Sequence, residues 1–159
     1  MRNGFKAAIL AGLLATSGLA IAAPAANKLI DGHNPQAILA LAKDLGAASL
    51  DKDDVGDPMI TGQMDGYHYD LFFYDCEQGR NCNTVQFRAT FEPDKKATYA
   101  RMHTWNKTKR FGQAYLDDNR DAVLTWDINL TGGVTVDNWN DTMDTWGQTM
   151  DSFSRFLDE

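Results

Sequence analysis

From Pro58 to Phe91 the chain alternates apolar and polar residues with a period of two, interrupted by two short polar turns. That pattern predicts a three-stranded antiparallel meander. Residues 58–64 make the first arm, and Asp65-Gly66 is a two-residue hairpin signal. Closing that turn sets Met64 opposite Tyr67, Gly62 opposite Tyr69 and Ile60 opposite Leu71, with the Tyr69 ring covering the bare backbone of Gly62. In the next hairpin, Cys76 placed opposite Cys82 sets Phe73 against Val85, Leu71 against Phe87, Tyr69 against Ala89 and Tyr67 against Phe91. One face becomes continuously apolar. The other carries Tyr74 against Thr84, Phe72 against Gln86, Asp70 against Arg88 and His68 against Thr90. A slip of one residue would turn one strand inside out, so the two turns and the cysteines point independently to one register.

Around this meander the period changes to that of helices. Asn34 is a helix N-cap, Pro35 suits the first helical position, Ile38, Leu41, Ala42 and Leu45 make an apolar stripe, and Gly46 ends it. Ala47 to Leu50 forms a short strand that leads into an acidic turn, residues 51–57. Pro93 and Asp94 open a second helix of about twelve residues with Thr98, Met102 and Trp105 on one side, ending near Asn106. A second hairpin follows. Its turn is either Asp118-Asn119 or the four residues 118–121, and both place Phe111 and Tyr115 on one face with Ala122, Leu124, Trp126 and Ile128. The two-residue turn would also pair Arg110 with Asp127. Gly132-Gly133 then releases a long helix with Thr135 as N-cap, Val134 and Trp139 as a hydrophobic staple and Asp137 near the positive end of the dipole. Val136, Trp139, Met143, Trp146, Met150, Phe153 and Leu157 step by three and four, the seam of a helix lying across a sheet or of a helix pair between two subunits. The fold class is α+β: an antiparallel sheet with helices packed on it, in the order α-β-β-β-β-α-β-β-α with a short first strand.

Composition adds a compartment. Arg2 and Lys6 precede an apolar run from Ala7 to Ala15, and Ala20-Ile21-Ala22 offers a small-x-small cleavage site. Residues 1–22 thus read as a cleaved secretory signal, 23–33 as a leader and 34–159 as a single domain. An uncleaved anchor is the rival reading, since residues 7–26 carry no charge. Loss of Arg2 and Lys6 with the signal takes the formal charge from −7 to −9. An acidic surface argues against nucleic-acid and anionic-membrane binding, which need lysine and arginine clusters, and no stable membrane insertion is expected after cleavage. In an exported chain the only two cysteines, Cys76 and Cys82, read as a structural disulfide. Its loop is short, so it stabilises by about 2 kcal/mol at most.

Catalytic signatures are sparse. His33, His68 and His103 lack metal-ligand spacing, and there is no nucleophile elbow. Asp51, Asp53 and Gly56 resemble the start of an EF-hand loop, but Gly62 stands where a bidentate Glu is required. His68 and Asp70 share a strand face, a faint acid/base pair. No catalytic residue, metal or cofactor is assigned. The surplus lies elsewhere: Phe72 and Tyr74 sit on the polar face of the hairpin, as a partner surface or as a patch covered by a helix or a second subunit.

Four stretches carry a family resemblance: GDPMITGQMDG at 56–66, LFFYDC at 71–76, WNKTKRFGQAYLD at 105–117 and DINLTGG at 127–133. From about Gly46 to Leu157 the chain resembles the YbjN family, described as bacterial sensory transduction regulators. Trp105, Asn106, Arg110, Phe111, Tyr115, Gly132 and Gly133 are the motif residues. The resemblance implies a type III secretion chaperone-like fold whose members dimerise and bind other proteins rather than catalyse. The expectation is therefore a periplasmic, non-enzymatic interaction or regulatory domain with a protein partner or a second copy of itself. A small hydrolase or a ligand-binding envelope protein is the alternative.

Overall fold

A computed structural model describes residues 29–92 and 96–159. The signal-peptide reading and the Pro93-Asp94 helix start fall outside those residues. In chain order the elements are β1 (Leu29–Ile30), α1 (Pro35–Leu45), β2 (Ala48–Lys52), β3 (Pro58–Met64), β4 (Tyr67–Tyr74), β5 (Thr84–Phe91), α2 (Tyr99–Thr108), β6 (Gln113–Leu116), β7 (Ala122–Asn129), β8 (Val134–Thr135) and α3 (Val136–Asp158). Six strands form one sheet in the order β2-β3-β4-β5-β7-β6, and β1 pairs with β8 in a separate two-stranded ribbon. Every pairing is antiparallel. The fold is α+β. The ribbon was not expected: Leu29 and Ile30, read as leader, add a short strand ahead of the first helix, and two residues are too few to show a period.

The meander takes the expected register. Met64 pairs with Tyr67, Gly62 with Tyr69 and Ile60 with Leu71. Leu71 pairs with Phe87 and Phe73 with Val85. Asp65 and Gly66 hold φ of 51° and 86°, the left-handed pair that a two-residue type I′ turn needs. The acidic stretch 51–57 is a turn built on one carboxylate, since Asp53 accepts from the backbone amides of Val55 and Asp57.

The second hairpin departs from expectation. Tyr115 pairs with Val123 and Ala114 with Leu124. The loop is five residues long, because Asp117 folds it: its carboxylate accepts from the amides of Asn119 and Asp121, and Arg120 takes a left-handed φ of 69°. An odd loop reverses the facing, so Ala114 and Leu116 point inward while Tyr115 points out. Arg110 lies before the strand and has no cross-strand partner among the described residues, so the pairing with Asp127 does not form.

Helix ends also shift for local reasons. Asn34 caps α1 as expected, accepting from the Ala37 amide. Gly46 follows α1 in extended backbone, not left-handed, and is required by space, because a Cβ there would meet the Gln63 carbonyl at 1.9 Å. Leu39 is buried in α1, whereas Leu45 is exposed. α2 starts later than expected, with Thr98 as its cap, and runs two residues past Asn106. Thr135 caps α3 through the Asn138 amide.

One apolar cluster joins the inner face of the sheet to all three helices. Trp139, Met143, Trp146, Met150, Phe153 and Leu157 of α3 are buried in it. Phe87 at the sheet centre stacks on Trp146 at 5.3 Å and Trp139 at 5.9 Å, so the α3 seam lies across the sheet. Phe153 holds α2 to the sheet, edge-on to Trp105 at 4.8 Å and to Phe91 at 5.1 Å. The opposite face of β3, β4 and β5 contributes nothing to this cluster.

Candidate functional site

Since the helices take the inner face, the outer side chains of β3, β4 and β5 are left to solvent. Phe72 and Tyr74 lie two residues apart on β4 and their rings stack at 6.4 Å, 29° from parallel. Phe72 is flanked across the sheet by Met59 and Gln86, and Tyr74 by Thr84. Tyr74 is 42% exposed; Met59 and Phe72 are half-buried. The apolar centre has a polar frame: Thr61 donates to Asp70 at 2.9 Å, Thr84 to Asp75 at 2.9 Å and Gln86 to Asp127 at 2.8 Å. Partial burial raises the Tyr74 pKa, and the nearby Asp127 and Asp53 carboxylates add to the rise against the opposing Arg88. Met59 was missed by sequence reasoning, although the Asp65-Gly66 turn already placed it opposite Phe72.

Cys76 and Cys82 form a disulfide with S–S 2.10 Å and Cα atoms 3.9 Å apart. They close the hairpin from beyond its strands, which end at Tyr74 and Thr84. Asp75 breaks the extended backbone with φ 55°, so the cysteines are loop residues and not a cross-strand pair, though they continue the same register. Cys82 is fully buried, and this fastens the loop to the core.

The motif residues divide into ties and surface. Trp105 donates its indole N–H to the Gly112 carbonyl at 2.9 Å. Asn106 reads both backbone groups of Ala114, donating to its carbonyl at 2.9 Å and accepting its amide at 2.7 Å. Those groups face the outer edge of β6, so one side chain caps the edge strand. Gly112, at φ 72°, turns the chain into β6. Arg110, Phe111 and Tyr115 are exposed, and Phe111 packs on Trp126 at 5.0 Å instead of entering the sheet core. Gly132 and Gly133 both hold left-handed φ in the turn that leads to β8. An open groove of about 450 Å³ lies where this loop meets β7, with Lys109, Arg110, Trp126 and Asp127 in its walls.

The three histidines are not brought together: His33 and His103 are exposed on a loop and on α2, and His68 is exposed on β4. Asp70 shares the outer face with His68 but accepts its hydrogen bond from Thr61. Among the described residues no three His, Cys, Asp or Glu side chains form a metal-ligating group, and no helix is long and apolar enough to cross a membrane.

Residues 34–159 match the family model described as "YbjN: Putative bacterial sensory transduction regulator". No curated protein matches the chain.

Proposed function

We infer that this chain, which belongs to the YbjN family, is an exported, non-enzymatic interaction or regulatory domain that docks a protein partner on the outer face of its sheet. The observation that carries this reading is the stacked Phe72–Tyr74 pair beside Met59, left at the surface while every helix packs on the other side. Aromatic side chains framed by satisfied polar pairs suit a partner surface: the rings supply apolar area with little entropy loss, and the frame fixes orientation. The N-terminal basic, apolar and small-residue pattern supports action in the periplasm.

The test is a photo-crosslinking residue at position 74 in cells, followed by mass spectrometry of the adducts. Phe72→Ser plus Tyr74→Ser, in a protein of unchanged circular dichroism, is expected to abolish adducts formed from a second crosslinking position at Met59. Adducts that persist in the double variant would sink the outer-face reading. Sedimentation equilibrium of both proteins tells a heterologous partner from a second copy, since only the second copy makes the mass depend on these two residues.

A further inference from the structure

The groove beside β7 offers a different kind of surface. β7 spans Ala122–Asn129 and pairs with β5 along its full length, but on its other side β6 reaches only as far as Thr125. Among the described residues, Trp126 to Asn129 thus have one neighbouring strand. The direction of their backbone groups follows from two hydrogen bonds. Leu130 donates its amide to the Asn83 carbonyl at 2.8 Å, in register with the β5–β7 ladder, so alternate residues Ile128 and Trp126 also turn toward β5. On the β6 side, Asp117 donates to the Asp121 carbonyl, which makes Tyr115–Val123 and Gln113–Thr125 the hydrogen-bonded pairs there. The amides and carbonyls of Asp127 and Asn129 then point away from β5, into the space that β6 would occupy were it longer.

The other two edges of the sheet each carry a side-chain cap. Asn106 caps β6 at Ala114, and on β2 the Asp51 carboxylate accepts the outward amide of Lys52 at 2.8 Å. At β7 the chain instead leaves the ladder at Gly112, whose carbonyl, turned outward by the same alternation as that of Ala114, accepts the Trp105 indole N–H. The result is the 450 Å³ groove between α2 and β7. Its walls carry two cations. Lys109 lies over the Trp105 ring at 5.3 Å and Arg110 over Phe111 at 5.4 Å, and among the described residues neither is ion-paired to a carboxylate. Asp127, the one carboxylate in the groove among the described residues, accepts from Gln86 on the outer face. On a chain of formal charge −7, a groove with two unpaired cations favours an anionic occupant.

We propose that the Trp126–Asn129 edge of β7, with Lys109 and Arg110 beside it, binds an extended acidic peptide segment as an added strand. Main-chain hydrogen bonds to Asp127 and Asn129 supply the docking, carboxylates of the segment meet Lys109 and Arg110, and the Phe111–Trp126 ring pair takes an apolar side chain on the alternate face. This site uses none of Met59, Phe72 or Tyr74 and stands without the partner surface proposed above.

Selection of random twelve-residue peptides displayed on phage against the full chain tests it. The expected outcome is enrichment of β-prone sequences containing Asp or Glu. A synthetic copy of the best binder should slow hydrogen exchange at the Asp127 and Asn129 amides in ¹⁵N spectra. Lys109→Ala plus Arg110→Ala should weaken that peptide at least tenfold, and N-methylation of its alternate amides should abolish binding, a change that leaves the protein's own fold untouched. Phe72→Ser plus Tyr74→Ser should leave its affinity unchanged. The proposal is overturned if no acidic peptide is enriched, if protection appears elsewhere, or if binding survives either the double alanine variant or the N-methylated peptide.

Discussion

At the scale of single residues, Tyr69 shows how a local compensation sets a measurable pH limit. Its ring lies across Gly62, where a Cβ would come within 2.4 Å of it, so the glycine and the tyrosine are chosen together. That pairing was legible, because the Asp65-Gly66 turn places the two residues opposite each other. The fate of the hydroxyl was not legible: it is buried and has no hydrogen-bond partner among the described residues. Burial pushes the phenol pKa from 10.0 up to about 12. The folded state therefore holds the proton more tightly than the unfolded chain. The stability tied to this group is complete below pH 10 and is lost as pH rises toward 12, by roughly 3 kcal/mol in all. Tyr69→Phe keeps the ring over Gly62 and removes the unpaired oxygen. We expect it to stabilise the protein by about 1 kcal/mol at pH 7 and to flatten urea-unfolding free energies between pH 10 and 12. An unchanged alkaline slope would show that Tyr69 does not set it.

At the scale of elements, the two hairpins show what a period can and cannot decide. In the β4–β5 hairpin the alternation spans eight residues on each arm, so the register was over-determined. In the β6–β7 hairpin the first arm has four residues, and the facing hung on loop length alone. That length is set by the Asp117 carboxylate collecting the amides two and four residues on, a local choice of one side chain that the alternation does not record. Asn106 was similarly visible as a motif residue but not as the cap of a strand eight residues away. Asn106→Ala leaves the Ala114 amide and carbonyl without their partner and reopens the β6 edge. A loss of about 1 to 2 kcal/mol is expected in denaturant titrations, with added concentration-dependent association by light scattering; a variant that associates no more than the parent protein and keeps full stability would remove the capping role. The Cys76–Cys82 bridge acts on one loop only. Cys76→Ser plus Cys82→Ser should cost about 2 kcal/mol or less, and hydrogen exchange should accelerate at residues 77–83 without change at Phe87.

At the scale of the whole molecule, the architecture is one-sided: a sheet whose inner face is sealed by three helices and whose outer face stays open across β3, β4 and β5. The α3 seam and the apolar face of the meander made the inner side legible, because buried surfaces must be apolar wherever they touch. The outer side was legible only as a surplus of two aromatics, since no folding requirement marks a surface that the chain itself does not cover. Under the proposed outer-face docking, the asymmetry separates stability from recognition. Phe153 is fully buried between Trp105 and Phe91, so Phe153→Ala removes a ring that joins α2, α3 and the sheet, and should cost about 3 to 5 kcal/mol. Phe72→Ser plus Tyr74→Ser touches no helix, and each change should fall within about 0.5 to 1 kcal/mol in urea titrations while removing outer-face crosslinks. If the outer-face pair instead destabilised the fold as much as Phe153→Ala does, the aromatics would be part of the core, and the surface would have no recognition role to explain.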